Sequence, residues 1–146
     1  MARVKKVVVD ASVVARWYVQ EEWSDSAIRV RQDYEKGLVE LIAPYLLFYE
    51  VSNSLRHSAD LNANDVSDSM TSLINTQLDT RLLTKEDIEK TVTLAFQFNI
   101  TMYDAVYVAL SQSLGVNFLT GDQKLYRKLA SDNVVLLSDY NYSRLQ

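Results

Sequence analysis

Val4-Lys5-Lys6-Val7-Val8-Val9-Asp10-Ala11-Ser12 opens the chain on a short strand that becomes continuously apolar after its lysines and stops at a carboxylate. A strand with one wet face alternates polar and apolar residues, whereas a strand covered on both faces, as in a parallel sheet between helices, does not. The segments beyond it alternate between helix and strand patterns. Ser12 is placed to cap a helix through Trp17 to about Gln20, and Ser24 another to Lys36, stopped by Gly37. Leu38 to Ala43 reads as a second strand. Pro44 suits the first turn of a helix that continues through Leu47, Val51 and Leu55 to about Ser58. Asn64 is placed to cap a helix through Ile74, Thr80 to Leu83 forms a short strand or turn, and Thr84 with Asp87 makes a capping box for a helix ending near Phe98. Thr101 opens a helix closed by Gly115. Asn117 to Leu119 is a further strand, Asp122 to Ala130 a helix, and Val134 to Leu137 a last strand before a short polar tail. Short apolar strands separated by helices imply an α/β fold with a parallel sheet covered on both faces.

Composition narrows the chemistry. With 146 residues and only three Gly and one Pro, the chain is expected to form a single domain over residues 1–146. It has no cysteine and one histidine, which removes disulfides, thiolate catalysis, thiolate zinc sites and histidine-rich metal centres. A net charge of −4 excludes a globally basic nucleic-acid binder but leaves local basic surfaces, of which Lys124, Arg127 and Lys128 form the densest and Arg29 with Arg31 a weaker one. No apolar stretch reaches the roughly 20 residues needed to span a bilayer, and no signal-peptide pattern precedes the first strand, so the expectation is a cytoplasmic protein with no membrane partner.

Four acids stand where a carboxylate is costly to leave unpaired. Asp10 ends the first strand, Glu50 interrupts Leu46-Leu47-Phe48-Tyr49, Asp104 precedes Ala105 to Leu110, and Asp122 follows Phe118-Leu119-Thr120-Gly121. Three have an ordinary alternative reading: Asp10 and Asp122 as helix caps, Asp104 as half of a capping box with Thr101. Glu50 has none, because it lies inside its helix. Two carboxylates about 4 Å apart repel by roughly 4 kcal/mol at an effective dielectric of 20, so four gathered together require a countercharge. No basic residue flanks any of them, and all-oxygen ligation suits Mg²⁺ or Mn²⁺. Ser12 and Thr120, each two residues from an acid, are candidates to orient waters or carboxylates, with capping as the alternative. His57 lies seven residues beyond Glu50, about 10.5 Å along the helix axis, too far for direct ligation. Trp17, Tyr18, Tyr103 and Tyr107 have the helical spacing of core residues, with base stacking as the alternative.

Taken together, the segments Val7 to Trp17, Ala43 to Arg56, Thr101 to Leu110 and Phe118 to Asp122 resemble, in the same order, the motifs of the PIN-domain nucleases, especially the small toxins of type II toxin–antitoxin modules. The resemblance implies a three-layer α/β/α sandwich with a short, mainly parallel central sheet. It also implies a Mg²⁺- or Mn²⁺-dependent endoribonuclease whose acids map to Asp10, Glu50, Asp104 and Asp122, with Ser12 and Thr120 as the accompanying hydroxyls. Where some members carry another acid after the fourth, this chain has Gln123 and Lys124. A homodimer and a small inhibitory antitoxin are further implications. Two other readings stay open: a noncatalytic module of the same fold binding RNA or a protein, and a nuclease acting on single-stranded DNA.

Overall fold

The computed structural model describes residues 3–146. Its elements are β1 Lys5–Val9, α1 Ala11–Ala15, α2 Ser24–Glu35, β2 Val39–Pro44, α3 Leu46–Arg56, α4 Ala63–Asn75, β3 Asp79–Arg81, α5 Lys85–Phe98, α6 Met102–Leu114, β4 Asn117–Thr120, α7 Gln123–Leu129 and β5 Val134–Leu136. The strands form one all-parallel sheet in the order β3-β2-β1-β4-β5. Right-handed crossovers place the helices before β3 on one face and α5 to α7 on the other. Contacts among α1, α2, α3 and α4, and separately between α5 and α6, agree with that division. This is the expected α/β/α architecture, and its apolar strands explain it: Val7, Val8, Val9, Phe118 and Leu119 have no exposed surface.

β1 sits between β2 and β4, so the chain leaves it in one direction and returns on its other side. Such a switch point opens a crevice beyond the carboxyl ends of the two strands. Register fixes what lines it, since Val9 pairs with Leu119 and Asp10 donates its backbone N–H to the Leu119 carbonyl at 3.0 Å.

Several local expectations shift. The first helix stops at Ala15 because its final turn tightens: Arg16, Trp17 and Tyr18 donate to carbonyls three residues back. Ser12 is inside that helix, and Asp10 occupies the cap position. Trp23, with a left-handed backbone, precedes α2, while the Ser24 hydroxyl serves Glu21 N–H and the Val19 carbonyl. Pro44 ends β2 rather than starting a helix, a place where no ladder N–H is demanded of it. Asn62, not Asn64, caps α4, because only Asn62 has Asp65 three residues on to return the bond. Thr80 lies in a true edge strand, steadied by a two-pronged Arg81–Asp79 pair at 2.9 Å. The tail is not merely polar: Leu137, Tyr140 and Leu145 enter the core, and Tyr140 donates to Asp33 at 2.8 Å. No helix is long and apolar enough to cross a membrane among the described residues.

Candidate functional site

At the switch point, Asp10 is 6% exposed and is held by two hydroxyls. Ser12 Oγ donates to its Oδ2 at 2.8 Å and Thr120 Oγ1 to the same oxygen at 2.7 Å. Each hydroxyl has one proton and has spent it on Asp10, so each turns its lone pairs to the β4–α7 turn. Ser12 accepts from Gly121 N–H at 2.8 Å and Thr120 from Asp122 N–H at 3.0 Å. The carboxylate thereby ties the end of β1 to the end of β4. Asp10 makes no side-chain cap bond to its own helix, so the capping explanation does not account for it.

The other acids divide. Asp122 does cap α7, accepting Leu125 N–H at 3.0 Å, and is exposed. Thr101 accepts Asp104 N–H at 3.0 Å, but the Asp104 carboxylate does not complete the box and stays half-buried. Glu50, also half-buried, has its Oε1 shut off from solvent with no hydrogen-bond partner. None of the four is in an ion pair among the described residues.

The four nevertheless share one electrostatic neighbourhood. Burial pushes the Asp10 carboxyl up to about 7 despite the two hydroxyls, with Asp104 and then Glu50 adding to the rise. Burial raises Glu50 as well, opposed by the nearby Tyr107 hydroxyl and assisted by Asp104. Asp104 is raised by burial and then by Asp122, with Thr101 and Lys128 pulling the other way. Among the described residues no three Asp, Glu or His side chains close to the separation that one ion would need. The donor set still fits a hard divalent ion: all oxygen, wholly or partly buried at Asp10, Glu50 and Asp104, and including an orphaned Glu50 oxygen that only a cation, a donor or a proton would satisfy.

Two neighbours were not assigned to the site from the sequence. Tyr107, one helical turn after Asp104, is fully buried, with its ring stacked on Phe118 at 6.1 Å and its hydroxyl unpartnered beneath the acids. Arg16, four residues after Ser12, donates from Nη1 to the Ser12 carbonyl at 2.5 Å and from Nε to the Glu22 carbonyl at 2.8 Å. It lies so close over Gly121 that a Cβ there would sit 2.5 Å from the guanidinium and displace the Arg16 side chain. Helical spacing from Asp104 and Ser12 was the available signal for Tyr107 and Arg16. His57 is exposed at the end of α3. Trp17 is core, whereas Tyr103 is 61% exposed beside Asp104.

A cavity of about 360 Å³ contains Asp104 and Asp122 together with Thr101, Leu125, Lys124 and Lys128. Lys128 is tethered to the Asn99 carbonyl at 2.9 Å. Lys124 has no hydrogen bond or ion pair among the described residues.

Comparison with known proteins gives a consistent result. The chain is 35% identical over 128 residues to Ribonuclease VapC3 of Pyrobaculum aerophilum, covering 84% of this chain and 94% of that protein. The fold is similar to a chain of a toxin–antitoxin complex from Klebsiella pneumoniae, with a TM-score of 0.67 at 13% identity over 92% of this chain and 99% of the other. It is also similar to VapC20 of Mycobacterium tuberculosis, a toxin that cleaves the sarcin–ricin loop, with a TM-score of 0.66 at 12% identity over 83% and 93%. The PIN domain model matches residues 7–130, from the buried core of β1 to the end of α7, and the chain belongs to the PIN-domain family.

Proposed function

We propose that this chain is a metal-dependent endoribonuclease, the toxin of a toxin–antitoxin pair, acting in the cytoplasm as one domain over residues 1–146. The observation that carries the reading is Asp10, a buried carboxylate aligned by two hydroxyls at a parallel-sheet switch point and electrostatically coupled to Glu50 and Asp104. Ribonuclease VapC3, at 35% identity, supports RNA as the substrate, and the toxin–antitoxin relative supports an antitoxin partner. A homodimer is part of the same proposal.

Asp10, Glu50, Asp104 and Asp122 would hold Mg²⁺ or Mn²⁺. When bound there, the ion supplies Lewis acidity that activates water and offsets charge building on the phosphoryl oxygens. The chain's own contribution is orientation. Ser12 and Thr120 fix Asp10 through Oδ2, leaving Oδ1 outside those bonds, while Leu125 N–H fixes one oxygen of Asp122. Lys124, unpaired among the described residues in the cavity beside Asp104 and Asp122, offers a positive charge to the phosphate backbone, whereas Lys128 there is tethered to the Asn99 carbonyl.

The reading is tested by cleavage of an RNA oligonucleotide with Mg²⁺ or Mn²⁺, against EDTA, Glu50→Gln and a single-stranded DNA of the same sequence. RNA cleavage that requires the ion and Glu50 is the expected result. Cleavage indifferent to EDTA and to Glu50 would refute it, and preferential cutting of DNA would replace the substrate. Lys124→Gln is expected to raise KM several-fold with kcat little changed. It should also make the slope of log kcat/KM against log salt shallower by about 0.7, as loss of one phosphate contact to a single strand requires.

A further inference from the structure

We propose that Tyr107 is the positioning residue for Glu50: its buried hydroxyl donates to the Glu50 carboxylate and aims it into the cation site. The inference rests on the metal-dependent reading above and adds a residue that the four-acid motif lacks.

Two buried side-chain oxygens without partners occur at the site, Glu50 Oε1 and the Tyr107 hydroxyl. They belong to different helices, α3 and α6, and lie side by side at the acid cluster. Leaving a donor and an acceptor both unmade when each is the other's neighbour costs more than a small rotation that joins them. Chemistry assigns the direction. The phenol carries a proton and an ionised carboxylate only accepts, so the bond runs from Tyr107 to Glu50.

The other acids have less need of such a partner. Asp10 is fixed by Ser12 and Thr120, and Asp122 by Leu125 N–H. Asp104 has a short side chain anchored by its place in the first turn of α6. Glu50 has the longest side chain of the four and accepts no other hydrogen bond from the described residues, so its rotamers must be restricted some other way. Tyr107 suits the task because its ring does not move: it is fully buried and stacked on Phe118 of β4 at 6.1 Å. The hydroxyl is thus a fixed point on α6, its ring braced against the strand that also delivers Thr120.

The test is Mn²⁺ binding by calorimetry to wild type, Tyr107→Phe, Glu50→Gln and the double variant, with RNA cleavage measured alongside. Tyr107→Phe keeps the ring, and its metal-free melting temperature should fall by no more than about a few degrees, as the loss of one hydrogen bond implies. Its Kd for Mn²⁺ should rise about 10–100-fold, the usual consequence of removing a group that orients a ligand. kcat at fixed Mn²⁺ should fall with KM for RNA unchanged. In the Glu50→Gln background the same substitution should change Mn²⁺ affinity less than twofold, because its effect passes through Glu50. Equal Mn²⁺ affinity of wild type and Tyr107→Phe, or a loss that simply adds to that of Glu50→Gln, overturns the inference while leaving the nuclease reading intact. Failure of wild type itself to bind Mn²⁺ overturns both.

Discussion

Asp10→Asn should abolish RNA cleavage and, in the same molecule, stabilise the metal-free fold at pH 8. The two effects have one cause. Asp10 is desolvated, and its carboxyl is pushed from 3.8 to about 7. A group whose folded pKa lies above its unfolded value contributes stability that is fully present below the unfolded pKa. That contribution is lost as pH rises through the folded one. Metal-free wild type should therefore lose stability between about pH 4 and pH 7, by on the order of 4 kcal/mol at about 1.4 kcal/mol per unit. Asparagine presents a carbonyl that can still accept from Ser12 and Thr120, and it places an uncharged amide toward Glu50 and Asp104. In EDTA at pH 8 its melting temperature should exceed that of wild type by roughly 8–16 °C, at about 2–4 °C per kcal/mol for a chain of this size. Cleavage should fall at least about 100-fold, because a direct ligand is expected to matter no less than the groups that orient one. Thermal melts at pH 5 and pH 8, with and without Mn²⁺, check the stability half. A variant less stable than wild type at pH 8, or one that still cleaves, contradicts the account.

The second large effect belongs to Phe118→Ala. Phe118 has no exposed surface, faces Val8 on one side and Val134 on the other across the sheet, and carries the stacked ring of Tyr107. Truncation leaves a cavity beneath β1 and α6 and should cost about 3–5 kcal/mol in a urea melt. Against a usual total of about 5–15 kcal/mol, that leaves a substantial unfolded population near physiological temperature. The folded fraction should also lose activity, because Tyr107 loses its seat. Phe96→Ala is the comparison: Phe96 is 85% exposed, and its removal should move stability by no more than about 0.5 kcal/mol. Similar losses for the two variants would mean that burial does not rank these side chains.

How far the sequence revealed the fold depends on which force decided each element. The unbroken run Val7-Val8-Val9 identified β1, as double-sided burial demands, and Phe118-Leu119 between turn residues identified β4. Thr84 with Asp87 and Thr101 before α6 were readable, since a local side-chain-to-backbone bond needs no tertiary partner. Reading failed where a tertiary partner outbid the local one. Ser12 looks like a cap but is drawn to Asp10 and Gly121, the latter 109 residues away. Of Asn62 and Asn64, both able to cap, the return bond from Asp65 chooses the first. The docked tail depends on Tyr140 reaching Asp33, which no local pattern contains. At the site, the acids were legible as carboxylates in awkward places, and Asp122 alone proved to be the cap it resembles. Tyr107 was not legible, because periodicity shows that a ring is buried but not that its hydroxyl ends among carboxylates.

The hydrogen bond from Thr120 to Asp10 spans 110 residues, and it sets a clock on protein synthesis. β4 is made after β1, β2, β3 and six of the seven helices, and Asp122 follows it. At about 5–20 residues per second, more than 5 s separates the first acid from the last on the ribosome. Throughout that interval Asp10 has neither the Thr120 hydroxyl nor the β4 backbone to anchor it. On the proposed reading, a growing chain should be harmless to the RNA around it until nearly all of the domain exists, and a message cut short before β4 should yield a fragment that cleaves no RNA in the assay above.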